Sequence, residues 1–174
     1  MQLLQYGESI IKRRSQFIEE IGETVTKVNE NLTGNKEHLQ MLYEPDVTID
    51  EFANKLNNYR ERDKKLFSTS VGPHRDDLCF MNKDIDIRKY GSQGQQRTCA
   101  LSLKLAEIEI VKNMTGDSPV LLLDDVLSEL DRNRQNYLLD SIHDIQTIIT
   151  CTGIEEFIDS RLTLDRIFRI KEGT

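Results

Sequence analysis

The sequence predicts an α/β fold in which helices flank a parallel sheet and a helical arm comes first. Residues 120–123 are four consecutive apolar residues, a run typical of a strand buried on both faces. A similar run at residues 147–151 follows after one helix-length segment. Because a strand, a helix and a strand in so short a stretch form a βαβ unit, the two strands should be parallel.

Residues 1–67 are predicted to form the helical arm. Apolar residues recur there at the alternating three- and four-residue spacing of a helix packed on a partner helix. They are Leu4, Ile11, Ile18, Ile21, Val25, Val28 and Leu32. Arg14 interrupts this pattern, which favours packing within a small helical unit over a strict two-stranded coil. The helix should end near Gly34, whose missing Cβ suits a C-cap.

A short strand and a second helix complete the predicted arm. The strand is Leu39 to Tyr43, and Pro45 stops it. Thr48 and Glu51 then stand at the spacing of a capping box, in which each side chain accepts the other's backbone N–H at a helix start. The residues that this helix is predicted to bury are Phe52, Leu56, Tyr59 and Leu66.

Residues 68–174 are predicted to form the sheet-containing part. Alternating apolar residues on either side of a turn at residues 82–84 predict a β-hairpin. A glycine-bearing turn at residues 90–94 leads into a helix that is apolar on two faces and therefore largely buried. The βαβ unit comes next. A short helix and a last strand should follow it, marked by Phe157 and Ile158 and by Ile167, Phe168 and Ile170.

The composition predicts a protein with a sizeable core and a negative charge. The 174 residues carry a formal net charge of −7, which excludes nucleic-acid binding by a chain that is basic throughout. Three widely spaced cysteines indicate reduced thiols and a cytoplasmic location. The sequence contains no apolar run of transmembrane length, so no membrane association is expected.

Two basic clusters are the candidate DNA contacts. They are Lys12, Arg13 and Arg14 in the first helix, and Arg60, Arg62, Lys64 and Lys65 in the second. Local basic patches allow an acidic protein to bind the DNA backbone. Because acids alternate with the bases of the second cluster, it is also typical of a solvated helix face, and both interpretations stay open.

Asp124 and Asp125 close the predicted strand at its carboxyl end, where open α/β sheets bind ligands. This is the Walker B arrangement of P-loop ATPases, in which one acid holds Mg²⁺ and the next orients or deprotonates a water. The alternative is a buried strand that happens to end in two solvated acids.

A second candidate site is the Ser-Gln-Gly-Gln sequence at residues 92–95, where the long buried helix starts. A helix N-terminus offers free N–H groups and a partial positive charge, which together attract phosphate. Ser92 adds a hydroxyl, Gly94 allows close backbone approach, and Gln95 adds an amide. Capping alone also explains serine and glycine at a helix start, so the interpretation depends on the order of the motifs.

The order of these motifs resembles that of ABC-type ATPases, and three segments resemble the RecF family of bacterial DNA-repair ATPases. The segments are residues 71–78 (VGPHRDDL), 90–98 (YGSQGQQRT) and 121–131 (LLLDDVLSELD). The resemblance implies the C-terminal half of an ABC-type ATPase domain, preceded by part of the family's helical arm. It also implies a protein that binds ATP, forms an ATP-dependent homodimer, engages gapped or single-stranded DNA, and helps to load a recombinase with RecR and RecO.

The same resemblance assigns roles to the site residues. Asp124 would hold Mg²⁺ through water, and Asp125 would take the place of a catalytic glutamate, which implies slow ATP hydrolysis. The residues implied to bind ATP are Ser92, Gln93, Gly94 and Gln95, which act on the partner subunit's nucleotide, and Ser128 and Asp131, in a loop along the dimer interface. The chain departs from ABC-type ATPases at Gln93, where they carry glycine, and at Thr150 and Thr152, where they carry a switch histidine.

His74 and Arg75 also belong to the resemblance, and they follow the helix break at residues 72–73. Their spacing leaves two hypotheses open. One is a turn-forming role, and the other is a contact with nucleotide or DNA.

The chain contains no G-x-x-x-x-G-K-S/T sequence, the P-loop that cradles phosphates. We therefore expect a C-terminal fragment of a longer protein whose P-loop lies upstream. Four charge-assisted hydrogen bonds from a P-loop contribute roughly 6 kcal/mol, about four powers of ten in affinity. The fragment by itself is predicted neither to hold ATP tightly nor to hydrolyse it.

Two other function classes stay open from the sequence. A nucleotide-binding subunit of a membrane transporter shares the ATPase motifs, although the heptad-patterned arm and residues 128–131 (SELD) favour the repair ATPase. A helical interaction module without enzymatic activity would carry acids at a strand end by chance. That last hypothesis predicts that Asp124→Asn leaves nucleotide-dependent dimerisation of the full-length protein unchanged.

Overall fold

The computed structural model describes residues 2–152 and 166–170. Its helices are Gln2–Thr33 (α1), Ile49–Leu66 (α2), Ile87–Tyr90 (α3), Gln93–Thr115 (α4) and Arg132–Ser141 (α5). Its strands are Leu39–Glu44 (β1), Asp77–Asn82 (β2), Ile85–Asp86 (β3), Leu121–Asp124 (β4) and Thr147–Thr150 (β5). Single 3-10 turns, Pro73–Arg75 and Val126–Glu129, precede β2 and follow β4. Among these helices, none is both long and apolar enough to cross a bilayer.

The chain divides into two compact units, Met1–Ile110 and Val111–Thr174. The first holds a three-stranded antiparallel sheet in the order β1-β2-β3, and the second holds the parallel pair β4-β5. Strand β1 pairs with β2 along its whole length. This pairing joins residues on both sides of position 67, and both strands lie in the first compact unit. The predicted division into domains 1–67 and 68–174 differs from the compact units and stays a prediction.

Helix α1 packs on strand β1 and on helix α2, and its buried Asn29 donates to Ser102 of α4 at 3.2 Å, so it has a strand partner as well as the predicted helix packing. Its buried apolar face carries the predicted repeat: Ile11, Ile18, Ile21, Val25, Val28 and Leu32. Phe52 of α2 is fully buried against Gly7 of α1, where a Cβ would lie 2.3 Å from the phenyl ring. The helix ends before Gly34, whose φ of +62° confirms the predicted glycine cap.

Helix α2 begins after Thr48 as predicted, but it buries less than the sequence pattern indicates. Phe52 is its buried residue, whereas Tyr59 and Leu66 are exposed by 37% and 57%. The prediction was wrong for these two residues because helical spacing defines a face but not the element that covers it. The Thr48 side chain makes no capping hydrogen bond, so the predicted reciprocal bonds with Glu51 are also wrong.

The second unit contains the predicted βαβ arrangement. Strands β4 and β5 pair in parallel with Asp124 opposite Thr150, and α5 lies between them in the chain. The buried apolar residues here include Leu123, Leu127, Leu138, Leu139 and Ile142. Leu122 and Ile148, however, pair across the two strands and are 69% and 58% exposed. A strand buried on both faces is therefore wrong for this chain, because no layer among the described residues covers that face.

The predicted last strand is also wrong. Residues 166–170, which include Ile167, Phe168 and Ile170, form no strand and are exposed. Alternating apolar residues do not make a strand unless a neighbouring strand takes up their backbone N–H and C=O groups. The predicted short helix with Phe157 and Ile158 lies outside the described residues.

Candidate functional site

Asp124 and Asp125 lie at the carboxyl end of β4, where the strand pattern predicts them. Asp124 ends the strand with an exposed side chain, and Asp125 follows with a φ of +51°, a conformation that few non-glycine residues adopt. Thr150 Oγ1 donates to Asp124 Oδ1 at 2.6 Å, and the Asp125 N–H donates to Thr150 Oγ1 at 3.0 Å. The parallel pairing of β4 with β5 therefore holds both acids at one sheet edge.

The donor set at this edge fits a Mg²⁺ ion that arrives with a nucleotide. In phosphate-binding sites, Mg²⁺ is usually held by one or two carboxylates together with phosphates and water. Asp124 supplies one exposed carboxylate, and the described residues contain no group of three or more His, Cys, Asp or Glu side chains that would hold a metal by itself. One exposed carboxylate is compatible with such a shared site, and a Mg²⁺–nucleotide site at this sheet edge stays a prediction.

Ser128 and Asp131 lie in the loop that follows the two acids, and both make local hydrogen bonds. The Ser128 hydroxyl donates to the Asp125 carbonyl oxygen at 2.8 Å. Asp131 caps α5 by accepting the Arg134 backbone N–H at 3.1 Å, and this bond lowers the pKa of the Asp131 carboxyl below its ordinary value. The loop is therefore tied to the strand-end acids on one side and to α5 on the other.

Ser92 and Gln95 form a reciprocal capping box at the start of α4. The Gln95 N–H donates to Ser92 Oγ at 3.2 Å, and the Ser92 N–H donates to Gln95 Oε1 at 2.9 Å. Helix capping, the local explanation that the sequence left open, is thus present in the structure. The N–H groups of Gln93 and Gly94 belong to the same first turn and have no acceptor within the helix. Both residues are exposed, so this turn is open to a ligand.

The two glycines of this turn differ in what an added side chain would meet. A Cβ on Gly91 would lie 2.5 Å from the Ile87 carbonyl oxygen, which is a clash with backbone. A Cβ on Gly94 would meet only Ser92 Oγ, at 4.0 Å, among the described residues. Folding therefore requires glycine at position 91 but not at position 94. The open space at Gly94 leaves room for a ligand, a feature that capping does not require.

The predicted nucleotide site draws on both compact units, because Ser92 belongs to the first and Asp124 to the second. Each motif has the local geometry just described within its own unit. That the two motifs contribute to a single triphosphate pocket stays a prediction.

The first basic cluster, in α1, contains one residue with a clear structural partner. Arg14 Nη1 donates to the Asp76 carboxylate at 2.8 Å and also to the Pro73 carbonyl oxygen. Lys12 and Arg13 are exposed, and the nearest acid to Arg13 is Glu20 at 3.7 Å. Lys12 and Arg13 are therefore the more accessible charges, whereas Arg14 ties α1 to the loop before β2.

The second basic cluster, in α2, is fully on the surface. Lys64 Nζ lies 2.7 Å from a Glu61 carboxylate oxygen, and the Arg62 guanidinium carbon lies 5.7 Å from the centre of the Tyr59 ring. Exposed contacts of this kind contribute little to stability, so a ligand displaces them at small cost. Arg60, Arg62, Lys64 and Lys65 stay candidates for DNA contact.

Asp76 is a buried carboxylate to which no sequence pattern assigned a role. Its side chain is only 3% exposed. Its Oδ2 accepts hydrogen bonds from Arg14 and from the Tyr43 hydroxyl, and its Oδ1 accepts the backbone N–H of Asp46. Burial and the bond to Asp76 raise the pKa of the Tyr43 phenol. Spacing carries no signal for this cluster, because its members come from a helix, a strand and two loops.

His74 and Arg75 make contacts near the same loop. His74 Nε2 lies 2.8 Å from the Thr69 carbonyl oxygen, and Arg75 Nε lies 3.7 Å from an Asp46 carboxylate oxygen. Of the two hypotheses for these residues, the contacts favour the turn-forming role.

No family model matches the chain. The chain is 56% identical over 99% of its length to the DNA replication and repair protein RecF of Lachnospira eligens, of which it covers 48%. It is 57% identical over 99% of its length to the protein of the same name from Lachnoclostridium phytofermentans, of which it also covers 48%. The chain therefore spans about half the length of the curated relatives it matches.

Two solved structures of the recombination mediator protein RecF from the RecFOR pathway are similar to this chain. One, described as RecF-ATP, has a TM-score of 0.77 and 38% identity over 89% of this chain and 44% of its own. The other, described as RecF-ATPrS, has a TM-score of 0.78 and 38% identity over 98% of this chain and 47% of its own. These similarities confirm the predicted α/β fold of an ABC-type ATPase and the predicted resemblance.

Proposed function

Because this chain belongs to the RecF family, we propose that it supplies about half of an ATP-dependent DNA-binding protein of DNA replication and recombinational repair. The observation that carries the proposal is the identity of 56% and 57% to RecF proteins over 99% of the chain. In the complete protein, ATP drives dimerisation, and the dimer engages gapped or single-stranded DNA. RecR and RecO are its proposed partners in loading a recombinase.

The strand-end acids form one part of the proposed nucleotide site. The exposed Asp124 carboxylate would hold Mg²⁺ through a water, and Asp125 would orient a second water. Ser128 and Asp131 hold the loop that leaves this edge, through the bonds to Asp125 and to the first turn of α5. Aspartate at position 125 is one methylene shorter than glutamate, which supports slow hydrolysis and use of ATP as a switch.

Residues 92–95 form the other part of the proposed nucleotide site. The first turn of α4 offers the N–H groups of Gln93 and Gly94, the Ser92 hydroxyl and the Gln95 amide to phosphate oxygens of a partner subunit's nucleotide. These residues would contact ATP–Mg²⁺ only in the closed dimer, so nucleotide binding would shift the equilibrium between the open and the closed state toward the dimer.

The basic residues of α1 and α2 are the proposed DNA contacts. They are Lys12, Arg13 and Arg14 in α1, and Arg60, Arg62, Lys64 and Lys65 in α2. Arg14 also forms an ion pair with Asp76. Since the net charge of the chain is −7, binding must depend on these local charges. Such contacts act on phosphates, so they predict affinity that falls with salt and varies little with DNA sequence.

The nucleotide site is tested in a chimera in which this chain replaces the matching segment of the Lachnospira eligens protein. We expect Mg²⁺-dependent ATP binding by calorimetry and ATP-dependent dimers by light scattering. Asp124→Asn should weaken both by about tenfold or more, the effect of removing one charge-assisted hydrogen bond. Asp117→Asn changes an exposed carboxylate before β4 and should leave both unchanged. A folded chimera that binds no ATP, or an Asp124→Asn variant that dimerises normally, contradicts the proposal.

The DNA contacts are tested by measuring the affinity of the same chimera for gapped DNA at several salt concentrations. Replacing Lys12 and Arg13 by alanine should make the slope of log affinity against log salt less negative, by roughly one for each phosphate that is no longer neutralised. Lys104→Ala, in α4, is the matched control, because Lys104 is exposed and lies 2.9 Å from Glu107. A salt slope near zero in the parent chimera would reject electrostatic DNA binding.

A further inference from the structure

Thr150, the last residue of β5, makes hydrogen bonds to both acids at the end of β4. Its Oγ1 lies 2.6 Å from Asp124 Oδ1 and 3.0 Å from the Asp125 backbone nitrogen. The Asp125 N–H also lies 3.1 Å from the Thr150 carbonyl oxygen. The parallel register, with Asp124 opposite Thr150, places the hydroxyl beside the acids.

The direction of these bonds follows from the groups involved. A backbone N–H only donates, so the Thr150 hydroxyl must accept from Asp125 with a lone pair. Its single hydrogen is then free for the Asp124 carboxylate, which only accepts when ionised. The result is a directed relay from the Asp125 N–H through the Thr150 hydroxyl to Asp124 Oδ1, in which each bond polarises the next.

We propose that Thr150 is a positioning residue for the Mg²⁺–ATP site, an inference that rests on the proposed function. An exposed carboxylate rotates about its terminal torsion, which is broad and soft. The bond to Oδ1 holds that rotation and keeps Asp124 Oδ2 available for a Mg²⁺-bound water. Partners that orient a metal-binding group in this way typically change metal affinity by about 10–100-fold when they are removed.

The same hydroxyl also supports the backbone of the second acid. Asp125 has a φ of +51°, and its N–H is taken up by two acceptors that both belong to Thr150. Non-glycine residues persist in this region only where the surroundings hold them. Thr150 therefore sets the conformation of Asp125 as well as the orientation of Asp124.

The experiment compares Thr150→Val with Thr150→Ser in the chimera. Valine keeps the shape and the strand preference of threonine but has no hydroxyl, whereas serine keeps the hydroxyl. The measured quantity is the Mg²⁺ concentration at half-maximal ATP binding. We expect it to rise about tenfold in Thr150→Val and to return to within about threefold of the parent value in Thr150→Ser. ATP binding in EDTA should be the same in all variants. A purely structural role of Thr150 would instead change ATP binding both with and without Mg²⁺.

Thr147→Val is the matched control, because Thr147 starts the same strand and its hydroxyl donates to the Ile145 carbonyl oxygen at 2.9 Å. Thermal unfolding checks that each variant folds, and Thr150→Ala replaces Thr150→Val if the valine variant does not. If Thr147→Val and Thr150→Val have equal Mg²⁺ dependence, or if Thr150→Ser does not restore the parent Mg²⁺ dependence, the proposed role of Thr150 is overturned. The proposed function of the chain is not affected by that outcome. A parent chimera that binds no ATP at all would overturn the proposed function instead, and with it this inference.

Discussion

Arg14 and Asp76 lie 62 positions apart in the sequence and form an ion pair in which Arg14 Nη1 is 2.8 Å from Asp76 Oδ2. The Arg14 side chain is 47% exposed, whereas the Asp76 side chain is almost completely buried. A buried carboxylate depends on its donors, because an unpaired buried charge is strongly unfavourable. Arg14, which the sequence predicts as a DNA contact, therefore holds α1 to the loop before β2.

Asp76→Ala should destabilise the protein more than Arg14→Ala does. Removal of the carboxylate leaves the Tyr43 hydroxyl and the Asp46 N–H without their acceptor, which costs about 3 kcal/mol in the free energy of unfolding. Removal of the half-exposed Arg14 guanidinium costs about 2 kcal/mol, because Asp76 loses its charged partner but keeps the Tyr43 hydroxyl and the Asp46 N–H as donors. Urea unfolding followed by circular dichroism measures both, with Lys12→Ala as the surface control at within about 0.5 kcal/mol of the parent. Equal destabilisation by Asp76→Ala and Lys12→Ala would contradict the role of Asp76.

Gly94→Ala should leave the free energy of unfolding unchanged or higher and should weaken ATP-dependent dimerisation. Alanine is a better helix residue than glycine, by up to about 1 kcal/mol, so the free energy of unfolding should stay level or rise. In the chimera, the added methyl group narrows the phosphate approach, and ATP-dependent dimerisation should weaken by about tenfold. Gly91→Ala is the contrasting variant, because its Cβ would clash with the Ile87 carbonyl oxygen and lower stability with or without ATP. Normal ATP-dependent dimerisation by Gly94→Ala would remove the case for a phosphate at this position.

The ion pair between Asp77 and Arg88 should make stability depend on pH in acid. Hydrogen bonds from Arg88 at 2.7 and 2.6 Å are the main cause that lowers the pKa of Asp77 from its ordinary 3.8 to about 2. Because the folded-state pKa lies below the unfolded-state value, the stabilisation is present above about pH 4 and is lost as the pH falls towards 2. The effect is small, since both side chains are exposed. The Tm difference between the parent and Asp77→Asn should shrink from about pH 5 to about pH 2, and a difference that grows would exclude this linkage.

The 174-residue chain by itself, outside the chimera, should bind no ATP at micromolar concentrations. It lacks the P-loop sequence, whose contacts contribute about four powers of ten in affinity. Isothermal titration of ATP–Mg²⁺ into the chain measures this directly, and the chimera is the positive control. Saturable micromolar binding by the chain alone would mean that residues 92–95 and Asp124 suffice for tight binding.

Local sequence patterns predicted most of the elements. The helical repeat predicted α1 and its end at Gly34, and the apolar runs predicted β4 and β5 as a parallel pair. The same kind of pattern wrongly predicted that Tyr59 and Leu66 of α2 are buried, whereas both are exposed. A capping-box spacing occurs at residues 48–51 and again at residues 92–95, yet the reciprocal side-chain bonds form at the second position alone. Spacing thus limits the choices for a segment without deciding its surroundings.

The sequence by itself determined which segments become helices and strands, and it placed Asp124 and Asp125 at the carboxyl end of a parallel strand. Only the tertiary structure decided that Asp76 is buried among Arg14 and Tyr43, that Thr150 bonds both strand-end acids, and that one face of β4 and β5 is exposed. The physical reason is the range of the interactions. Periodicity and turn preference act between near neighbours in the chain, whereas burial and side-chain hydrogen bonds depend on residues that folding brings from far away.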